Sequence, residues 1–556
     1  MSSIGYKEEK EKAAVTQAEN IDGQCLNNEV NISQNSMDHT HRGLTNRHLQ
    51  FIAIGGTIGT ALFVSIGGSL VKAGPASLLL AFILYSTVVL SVNSCLAEMV
   101  TYLPISSSFI RFAGRWVDDA FGFAVGYNFF IYEAVLIPFE MTAFAILLTF
   151  WTDQIPVAAT VAFLIVLYAF LNFFAVSYYG EAEFWLACGK VFLIIGLALF
   201  TFFTMIGVNP QRTAYGFRYW RDPGPFASYL EPGSTGRLIG FLMAVIQAGF
   251  TIAGPEYISM AAGEVKNPRT SLPLAYRTMR YRFAAFFIGG ALCVGIICPY
   301  NDPTLVAINL GTKEGGGTGA ASPYVIGMNR LNIPVLPHIT NALILTSILS
   351  AGNSYVYCSS RSLFGLALDG KAPKIFTRCT SAGVPIYCVF MSLGISCLAF
   401  LQVSNSSSVV LSWFFNLITA SQLINFACAC VTYMFFRRAF LAQGFSRDNL
   451  PYKSHWQPFL AWYGFFGCCL VMLLNGFYLF ISGSWNTKSF FFCYSMIAVF
   501  PILFFGRKWW SRTSLVKSTE ADLVSGLEEI ESYERTHPIE KPKSTIWRIC
   551  SKIIGF

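Results

Sequence analysis

The chain has 556 residues, of which 54% are hydrophobic and 12% carry a charged side chain, and its formal net charge is +8. A soluble protein carries about 25% charged residues, so this composition excludes a soluble globular protein and indicates an integral membrane protein. The basic residues fall in short loops between apolar runs, where they set membrane orientation. We therefore expect a lipid bilayer and no nucleic acid as a partner.

The predicted elements begin with residues 1–48, which are polar and mixed in charge and indicate a disordered cytoplasmic tail. A spanning helix needs about 20 mostly apolar residues. The chain therefore predicts an all-α polytopic domain at 49–506, with about 12 transmembrane helices. The predicted spans are 51–72, 76–100, 119–148, 157–178, 184–207, 237–262, 281–300, 336–367, 385–402, 409–436, 459–482 and 489–506. Residues 507–556 are expected to form a cytoplasmic tail with a short amphipathic helix at 520–536.

The loops predict the orientation, because cytoplasmic loops carry an excess of Lys and Arg. With the N-terminus inside, the inside loops hold most of the basic residues, and both termini are expected in the cytoplasm. The outer loop with Arg212, Arg218 and Arg221 is an exception. The sequon at Asn405 is then outside and open to glycosylation, whereas the sequon at Asn31 is inside and is expected to stay unmodified. The Gly-rich stretch 311–322 is expected to be a flexible outside loop.

Two of the predicted spans contain residues that interrupt helices. The first has Gly55, Gly56 and Gly59 in its middle, and glycine in a helix interior costs about 1 kcal/mol relative to alanine. The sixth has Gly254 followed by Pro255, and proline removes a helix hydrogen bond. Both helices are therefore expected to break.

Broken helices at membrane depth are tolerated where they line a cavity. Spans one and six open two halves of five helices each, and breaks at matching places in two repeats indicate a transporter's binding site. Freed amides at a helix terminus suit a carboxylate and freed carbonyls suit an ammonium group, so the pair suits a zwitterion. The alternative is that the glycines are only a packing surface between helices.

Ionisable residues inside spans are candidates for function. Lys190 in span five either gains and loses a proton during transport or forms a permanent bridge to span eight. Glu256 either orders the break in span six or takes part in proton transfer. Glu140 in span three either neutralises Lys190 or contacts the substrate, and the place of Glu133 is left open. Glu98 is expected to anchor an inside loop.

Other side chains near the breaks have two interpretations each. Phe250 either closes over the substrate as a gate or is ordinary packing. The polar residues Tyr127, Asn128, Asn353 and Ser354 either face the interior or bond neighbouring helices.

An enzyme is the first rival class, and the sequence argues against it. The six histidines form no HExxH motif or cluster with a nucleophile, and the 15 cysteines show no zinc spacing, so we expect neither a metal nor a cofactor. A receptor that binds amino acids with little transport is the second rival. It would keep the same breaks, so it stays open.

Several stretches carry a family resemblance: RHLQFIAIGGTIGTALF, LAEMVTYLP, GFRYWRDPGPF, EVKNPRTSLPLA, PYNDPTLV and ALDGKAPKIF. From about residue 43 to about residue 530 the chain resembles the fungal amino acid permeases of the amino acid–polyamine–organocation superfamily. Within that family it looks most like the proline-specific and dicarboxylic amino acid permeases. The resemblance implies twelve helices, a LeuT-like 5+5 inverted repeat with broken helices 1 and 6, and proton-coupled import of amino acids across the plasma membrane.

The resemblance also implies a substrate site. The substrate carboxylate is expected at the amides of Gly59, Thr60 and Ala61, and its ammonium group near Thr57. In span six the implied residues are Phe250, Ala253 and Gly254. The family usually has glycine at position 61, and the Cβ of Ala61 limits backbone freedom there. The proton-coupling candidates are Lys190, which resembles a replacement for a sodium ion in related bacterial carriers, with Glu256 and Glu140.

The substrate is expected to be a neutral amino acid such as proline, since no charged residue is assigned to the side-chain pocket. Broad-range and acidic amino acid permeases are the alternatives. The family also implies ubiquitin-ligase machinery as a partner, with Lys7, Lys10 and Lys12 as acceptors, and passage through the endoplasmic reticulum and endosomes. Cys550, beside aromatic, basic and apolar residues, is either palmitoylated or unmodified.

Overall fold

The computed structural model describes residues 42–173, 176–309, 322–381 and 383–537. Their regular structure is helical. The first eight helices are α1 (Asn46–Gly55), α2 (Ile66–Tyr102), α3 (Ser108–Trp116), α4 (Asp119–Leu148), α5 (Val157–Phe173), α6 (Val176–Met205), α7 (Gly233–Thr251) and α8 (Pro255–Ala261). The remaining eight are α9 (Pro268–Arg282), α10 (Gly289–Ile297), α11 (Leu336–Leu368), α12 (Ile386–Ser396), α13 (Ser407–Ala442), α14 (Phe459–Leu474), α15 (Thr487–Ser511) and α16 (Leu527–Thr536).

Helices occupy the positions of all the predicted spans. In the described part of the chain, eight helical stretches are long and apolar enough to cross a membrane: Ala61–Tyr102, Asp119–Leu148, Glu183–Met205, Gly233–Glu264, Pro268–Ile297, Ile386–Val403, Ser407–Ala442 and Thr487–Ser511. α5 and α14 are apolar but shorter. A polytopic all-α fold is therefore confirmed, while twelve crossings and the inverted repeat stay predictions.

A sharp turn at Gly74 separates the first two predicted spans. The end of the first span and the whole of the second otherwise form the single helix α2. Gly74 has φ 79°, in the left-handed region, and Pro75 follows it. A Cβ at Gly74 would lie 2.6 Å from the backbone nitrogen of Ala227. That nitrogen donates to the Ala73 carbonyl over 3.0 Å, so the turn is fixed by the loop before α7.

The outer helices expose large apolar side chains that a water-facing surface would not carry. Phe192 on α6 is 73% exposed, and Trp509 on α15 is 84% exposed. Contiguous apolar surface of this kind marks contact with lipid. The inner helices α4, α11 and α13 are largely buried among the others, so the polar breaks described below lie inside the helical domain.

Loops predicted to be cytoplasmic meet at one end of the helices. Arg111 on α3 pairs with Asp369 after α11 over 3.0 Å. Lys508 on α15 pairs with Asp118 over 2.7 Å. These ion pairs join three predicted inside segments, which agrees with their assignment to one face.

Residues 513–537 continue along this face and pack against it. The Val516 nitrogen donates to the Val117 carbonyl over 2.9 Å, and the Trp116 indole donates to the Asp522 carbonyl over 2.9 Å. Of the amphipathic helix predicted at 520–536, the C-terminal part forms as α16, with Ile530 buried, whereas residues 520–526 are not helical. The predicted domain boundaries at 48 and 506 both fall inside helices, α1 and α15, because the apolar pattern marks the membrane depth and not the helix ends.

Some predictions fall outside the described residues. They concern Lys7, Lys10, Lys12, Asn31, Cys550 and all but the last residue of the 311–322 loop.

Candidate substrate-binding site

The first predicted break is present. α1 ends at Gly55, and helical structure resumes with a π-helical turn at Ala61–Ser65. The Thr57 hydroxyl donates to the carbonyls of Ala53 and Ile54, over 3.0 Å each, and so closes the end of α1. The glycine at 56 is required by a close approach, because a Cβ there would lie 2.8 Å from the Tyr257 ring.

The second predicted break is also present. α7 ends at Thr251 and α8 starts at Pro255. Between them Gly254 has φ 137°, which a side chain would strain. A Cβ at Gly254 would lie 2.7 Å from the Thr57 methyl carbon, so the two breaks touch. The sequence predicted each break, and the tertiary structure brings them together.

The amide side of the first break carries a carboxyl group of the protein itself. The Thr60 amide donates to Glu140 Oε1 over 3.3 Å, and the Thr60 hydroxyl donates to Glu140 Oε2. Gly59 lies against the same group, since a Cβ there would be 2.3 Å from Glu140 Oε1. Ala61 opens the π-helical turn and is half-buried. The Thr60 amide and hydroxyl thus contact a carboxyl group of the protein itself, that of Glu140. The substrate carboxylate that the resemblance implies at the same place stays a prediction.

The carbonyl side of the first break is held by side chains from α6 and α11. Lys190 Nζ donates to the Gly55 carbonyl. The Tyr355 hydroxyl donates to the Gly56 carbonyl over 3.1 Å, and Ser347 donates to the Ile58 carbonyl over 3.2 Å. Unpaired carbonyls inside a membrane are unfavourable, so these three donors stabilise the open helix.

Lys190 thus reaches span one. Its ammonium group interacts electrostatically with two carboxyl groups, Glu183 first and Glu140 second. Glu140 is therefore only one of the two carboxyl groups that interact with the Lys190 ammonium group, and the predicted neutralisation of Lys190 by Glu140 leaves out Glu183.

Glu183 is a site residue that the sequence analysis missed. Its carboxyl accepts from Ser350 over 2.5 Å and lies beside Gly55, where a Cβ would be 1.7 Å from Oε1. Glu183 and Lys190 are seven residues apart in an apolar run, which places them two turns apart on one helix face. That spacing was the available signal.

Glu256 supports the break in span six. Its Oε2 accepts a hydrogen bond from the Gly254 amide over 3.0 Å, which agrees with the ordering role. The Ile252 carbonyl next to it accepts from Gln422 of α13 over 3.2 Å. Ala253 is buried between these two contacts.

Glu98 lies away from the breaks and anchors a loop, as predicted. It accepts from Arg447 over 2.7 Å and from the Ser454 amide over 2.8 Å.

Aromatic packing surrounds Phe250 at the end of α7. Its ring lies 5.2 Å from that of Phe139 on α4 and 4.4 Å from that of Phe415 on α13, measured between centroids. The gate and the packing interpretation both fit these contacts, so the gate stays a prediction.

The polar residues of spans three and eight bond neighbouring helices. The Asn128 amide group donates to the Ser421 carbonyl over 2.9 Å, and Tyr127 donates to the Lys371 carbonyl over 3.2 Å. Asn353 accepts from Asn172 over 2.8 Å, and the Ser354 hydroxyl lies near Gly55.

Comparison with known proteins identifies relatives along most of the chain. Residues 48–519 match the family model described as amino acid permease. The general amino acid permease AGP2 of Saccharomyces cerevisiae is 46% identical over 90% of this chain and 85% of its own length. The proline-specific permease of Emericella nidulans is 40% identical over 92% of each chain. The dicarboxylic amino acid permease of S. cerevisiae is 35% identical over 87% of this chain and 79% of its own length.

These matches confirm the resemblance seen in the motifs. They also agree with a transporter in place of an enzyme, since each of these relatives is a permease. With two broken helices inside a polytopic helical domain and relatives of this similarity along nearly its whole length, the chain belongs to the amino acid permease family.

Proposed function

We propose that this protein imports amino acids across the plasma membrane by secondary active transport coupled to proton entry. One observation carries the proposal: the Thr60 amide and hydroxyl hold a carboxyl group at the break of span one, and that group belongs to the titratable residue Glu140. A substrate carboxylate at the same donors would have to replace Glu140. Substrate binding and the protonation of Glu140 are then linked.

The mechanism follows from this competition. Outside, a protonated Glu140 carries no charge and yields the Thr60 donors to the substrate carboxylate. The ammonium group of the substrate meets backbone carbonyls at Thr57 and at Phe250–Ala253. Lys190 keeps the Gly55 carbonyl occupied and brings a positive charge close to the exchanged carboxyl groups. Phe250 closes the site from its position between Phe139 and Phe415.

The relatives of this chain support two different substrate ranges. Neutral amino acids, proline among them, are supported by similarity to a protein named as a proline-specific permease. A broad range is supported by similarity to one named as a general amino acid permease. Neutral substrates are expected from the sequence only if the pocket holds no charged residue. Glu140 and Glu256 contact the two breaks, so charged amino acids belong in the test.

Both termini are proposed to be cytoplasmic, and Asn405 is proposed to be outside. The ion-paired face formed by Arg111, Asp369 and Lys508 is then the cytoplasmic face. The lysines Lys7, Lys10 and Lys12 are proposed as ubiquitin acceptors for controlled endocytosis.

The test is uptake by a yeast strain that lacks its own permeases and expresses this chain with a fluorescent tag. Labelled proline, alanine, glutamate and lysine are supplied at pH 5 and pH 7, with and without an uncoupler. We expect uptake of at least one amino acid, faster at pH 5 and abolished by the uncoupler. Uptake that ignores the uncoupler contradicts proton coupling. Binding without uptake by protein at the cell surface contradicts the importer and favours a receptor.

A further inference from the structure

A group of buried titratable side chains adjoins the two breaks and is not used by the mechanism above. Glu133 on α4 is the member at its centre. It is fully buried, and within the described part of the chain neither of its carboxyl oxygens has a hydrogen-bond partner. Its titratable neighbours come from three helices: Tyr132 on α4, Glu256 and Tyr257 on α8, and Tyr355 and Cys358 on α11.

Two other buried glutamates of the helical domain each form an ion pair with an arginine. Glu264 pairs with Arg361 over 3.2 Å and accepts from Tyr357 over 2.6 Å. Glu98 pairs with Arg447 over 2.7 Å. Glu133 instead interacts electrostatically with a second carboxyl group, that of Glu256, whose Oε1 also lacks a partner among the described residues. Within that part of the chain neither carboxyl group has an ion-pair partner, although Glu256 Oε2 accepts from the Gly254 amide. Two neighbouring negative charges inside a membrane are strongly unfavourable, so this pair is a place where a proton is held.

The position of Glu133 suits transfer from the substrate site. It precedes Glu140 by seven residues, which puts the two residues on one face of α4, two turns and about 10 Å apart along the helix axis. Tyr355 lies among them and interacts electrostatically with Glu140, Glu133 and Glu256. Its hydroxyl is anchored on the Gly56 carbonyl over 3.1 Å, so it moves with the break of span one.

Tyr257 completes the group on the side of α8. Its hydroxyl faces the Glu133 carboxyl, short of a completed hydrogen bond, and its ring centroid is 6.3 Å from that of Tyr355. The same ring packs on Gly56, where a Cβ would lie 2.8 Å from it. Rearrangement of either break would therefore shift this hydroxyl relative to Glu133.

We propose that Glu133, with Glu256 and the hydroxyl groups of Tyr355 and Tyr257, is the inward proton-release group of the transport cycle. The inference rests on the proposed function and adds the residues that carry the proton beyond Glu140. The Glu140 carboxyl gives its proton to the Tyr355 hydroxyl, which passes its own proton to the Glu133 carboxylate. Glu140 is left as a carboxylate and Glu133 as a carboxylic acid. Glu133 then releases the proton towards the cytoplasm and returns to its carboxylate form.

The experiment separates net uptake from exchange. Exchange of labelled for unlabelled amino acid returns the carrier without releasing the proton, whereas concentrative uptake needs release in every cycle. The probe is the labelled amino acid that the wild-type chain takes up in the panel above, with proline tested first. Glu133→Gln keeps the shape of the side chain and removes its titration, and Tyr257→Phe removes one hydroxyl. Glu231→Gln, on the exposed outer loop, is the matched control.

We expect Glu133→Gln to lower concentrative uptake at least tenfold and to flatten its pH profile between pH 5 and pH 7, with exchange lowered at most about threefold. Tyr257→Phe is expected to act in the same direction but more weakly, and Glu231→Gln to match the wild type. Equal losses of uptake and exchange in protein at the cell surface would overturn the proposal and make Glu133 a substrate-binding group. Normal uptake and pH profile in Glu133→Gln would also overturn it. A wild-type chain without proton-coupled uptake would instead overturn the proposed function itself.

Discussion

The ammonium group of Lys190 on α6 donates a hydrogen bond to the carbonyl oxygen of Gly55, the last residue of α1. This contact joins a buried cation to the place where the first span opens. A helix that ends inside the membrane leaves carbonyls without partners. Lys190 therefore stabilises the break and at the same time brings a charge next to Glu183 and Glu140.

Replacement of Lys190 by methionine should uncouple transport. The change leaves the Gly55 carbonyl without its donor, at a cost of about 1–3 kcal/mol, and leaves two carboxyl groups without their cation. Uptake at pH 5 should fall at least tenfold and lose its dependence on the uncoupler. Lys517→Met, on the exposed tail, is the control and should keep wild-type uptake. Concentrative, uncoupler-sensitive uptake by Lys190→Met would contradict this role.

A methyl group at Gly55 should block the site, whereas one at Gly196 should be accepted. At Gly55 the added carbon would lie 1.7 Å from Glu183 Oε1 and 3.2 Å from Ser354 Oγ. Glu183 is held by Ser350 over 2.5 Å, so it cannot move without losing that bond. At Gly196, on the same helix as Lys190, no described residue has an atom within 4 Å of the added carbon.

Initial uptake rates, divided by the amount of tagged protein at the surface, provide the measurement. Gly55→Ala is expected to lose at least 90% of uptake, and Gly196→Ala to stay within about twofold, since alanine favours a helix interior over glycine. Equal behaviour of the two variants would show that the close packing of Gly55 on Glu183 does not matter.

Glu98 should contribute to stability and not to transport chemistry. Its carboxyl accepts from Arg447 over 2.7 Å, from the Ser454 amide over 2.8 Å and from Tyr433 over 2.6 Å. Glu98→Ala leaves these donors without an acceptor, which we expect to cost about 3 kcal/mol. The melting temperature of the detergent-purified protein should fall clearly, while the KM of surviving transporter at the surface stays near wild type. Glu520→Gln, in an exposed pair with Lys517, should leave the melting temperature unchanged. A raised KM in Glu98→Ala would contradict a purely structural role.

The C-terminal segment at 513–537 should be protected in solution, and Leu523 should be the residue that holds it. Leu523 is 1% exposed, whereas the adjacent Val524 is 57% exposed. Leu523→Asp buries a charge and should raise hydrogen exchange of the segment about tenfold or more, measured by mass spectrometry. Val524→Asp is the matched control and should leave exchange as in the wild type. Fast exchange of this segment in the wild type would contradict the docking.

Docking of this segment should not depend on pH between 5 and 7. Burial alone would raise the pKa of the Asp522 carboxyl, but hydrogen bonds from Ser525 and the charge of Arg115 outweigh burial and hold that pKa below its usual 3.8. A lowered pKa in the folded state gives stability that is present above the unfolded value and is lost as the pH falls through the folded value. The loss therefore lies below about pH 4. The hydrogen-exchange protection of residues 513–537, corrected for the intrinsic exchange rate, is expected to be the same at pH 5 and at pH 7.

The sequence by itself determined the membrane class, the helices and the two breaks. Apolar runs of fixed length have one stable form in a bilayer, and glycine and proline interrupt a helix wherever it packs, so Gly55–Gly59 and Gly254–Pro255 were predictable from local rules alone. The motifs determined the family for the same reason, because they are contiguous in the chain. Predicted span limits differ from the helix ends, as for the span 489–506 against α15 (Thr487–Ser511), because apolar composition ends at the membrane surface and helices do not.

Only the tertiary structure decided which groups meet at the breaks. Glu140 is 80 residues from Thr60 along the chain and holds its amide. Glu183 was missed entirely, because its place beside Gly55 depends on how α6 crosses α1. The partners of a buried charge are set by helix packing across long sequence separations, and no local pattern records them. That is why Glu133 had no assigned place in the sequence analysis, yet interacts electrostatically with Glu256 and Tyr355, which contact the two breaks.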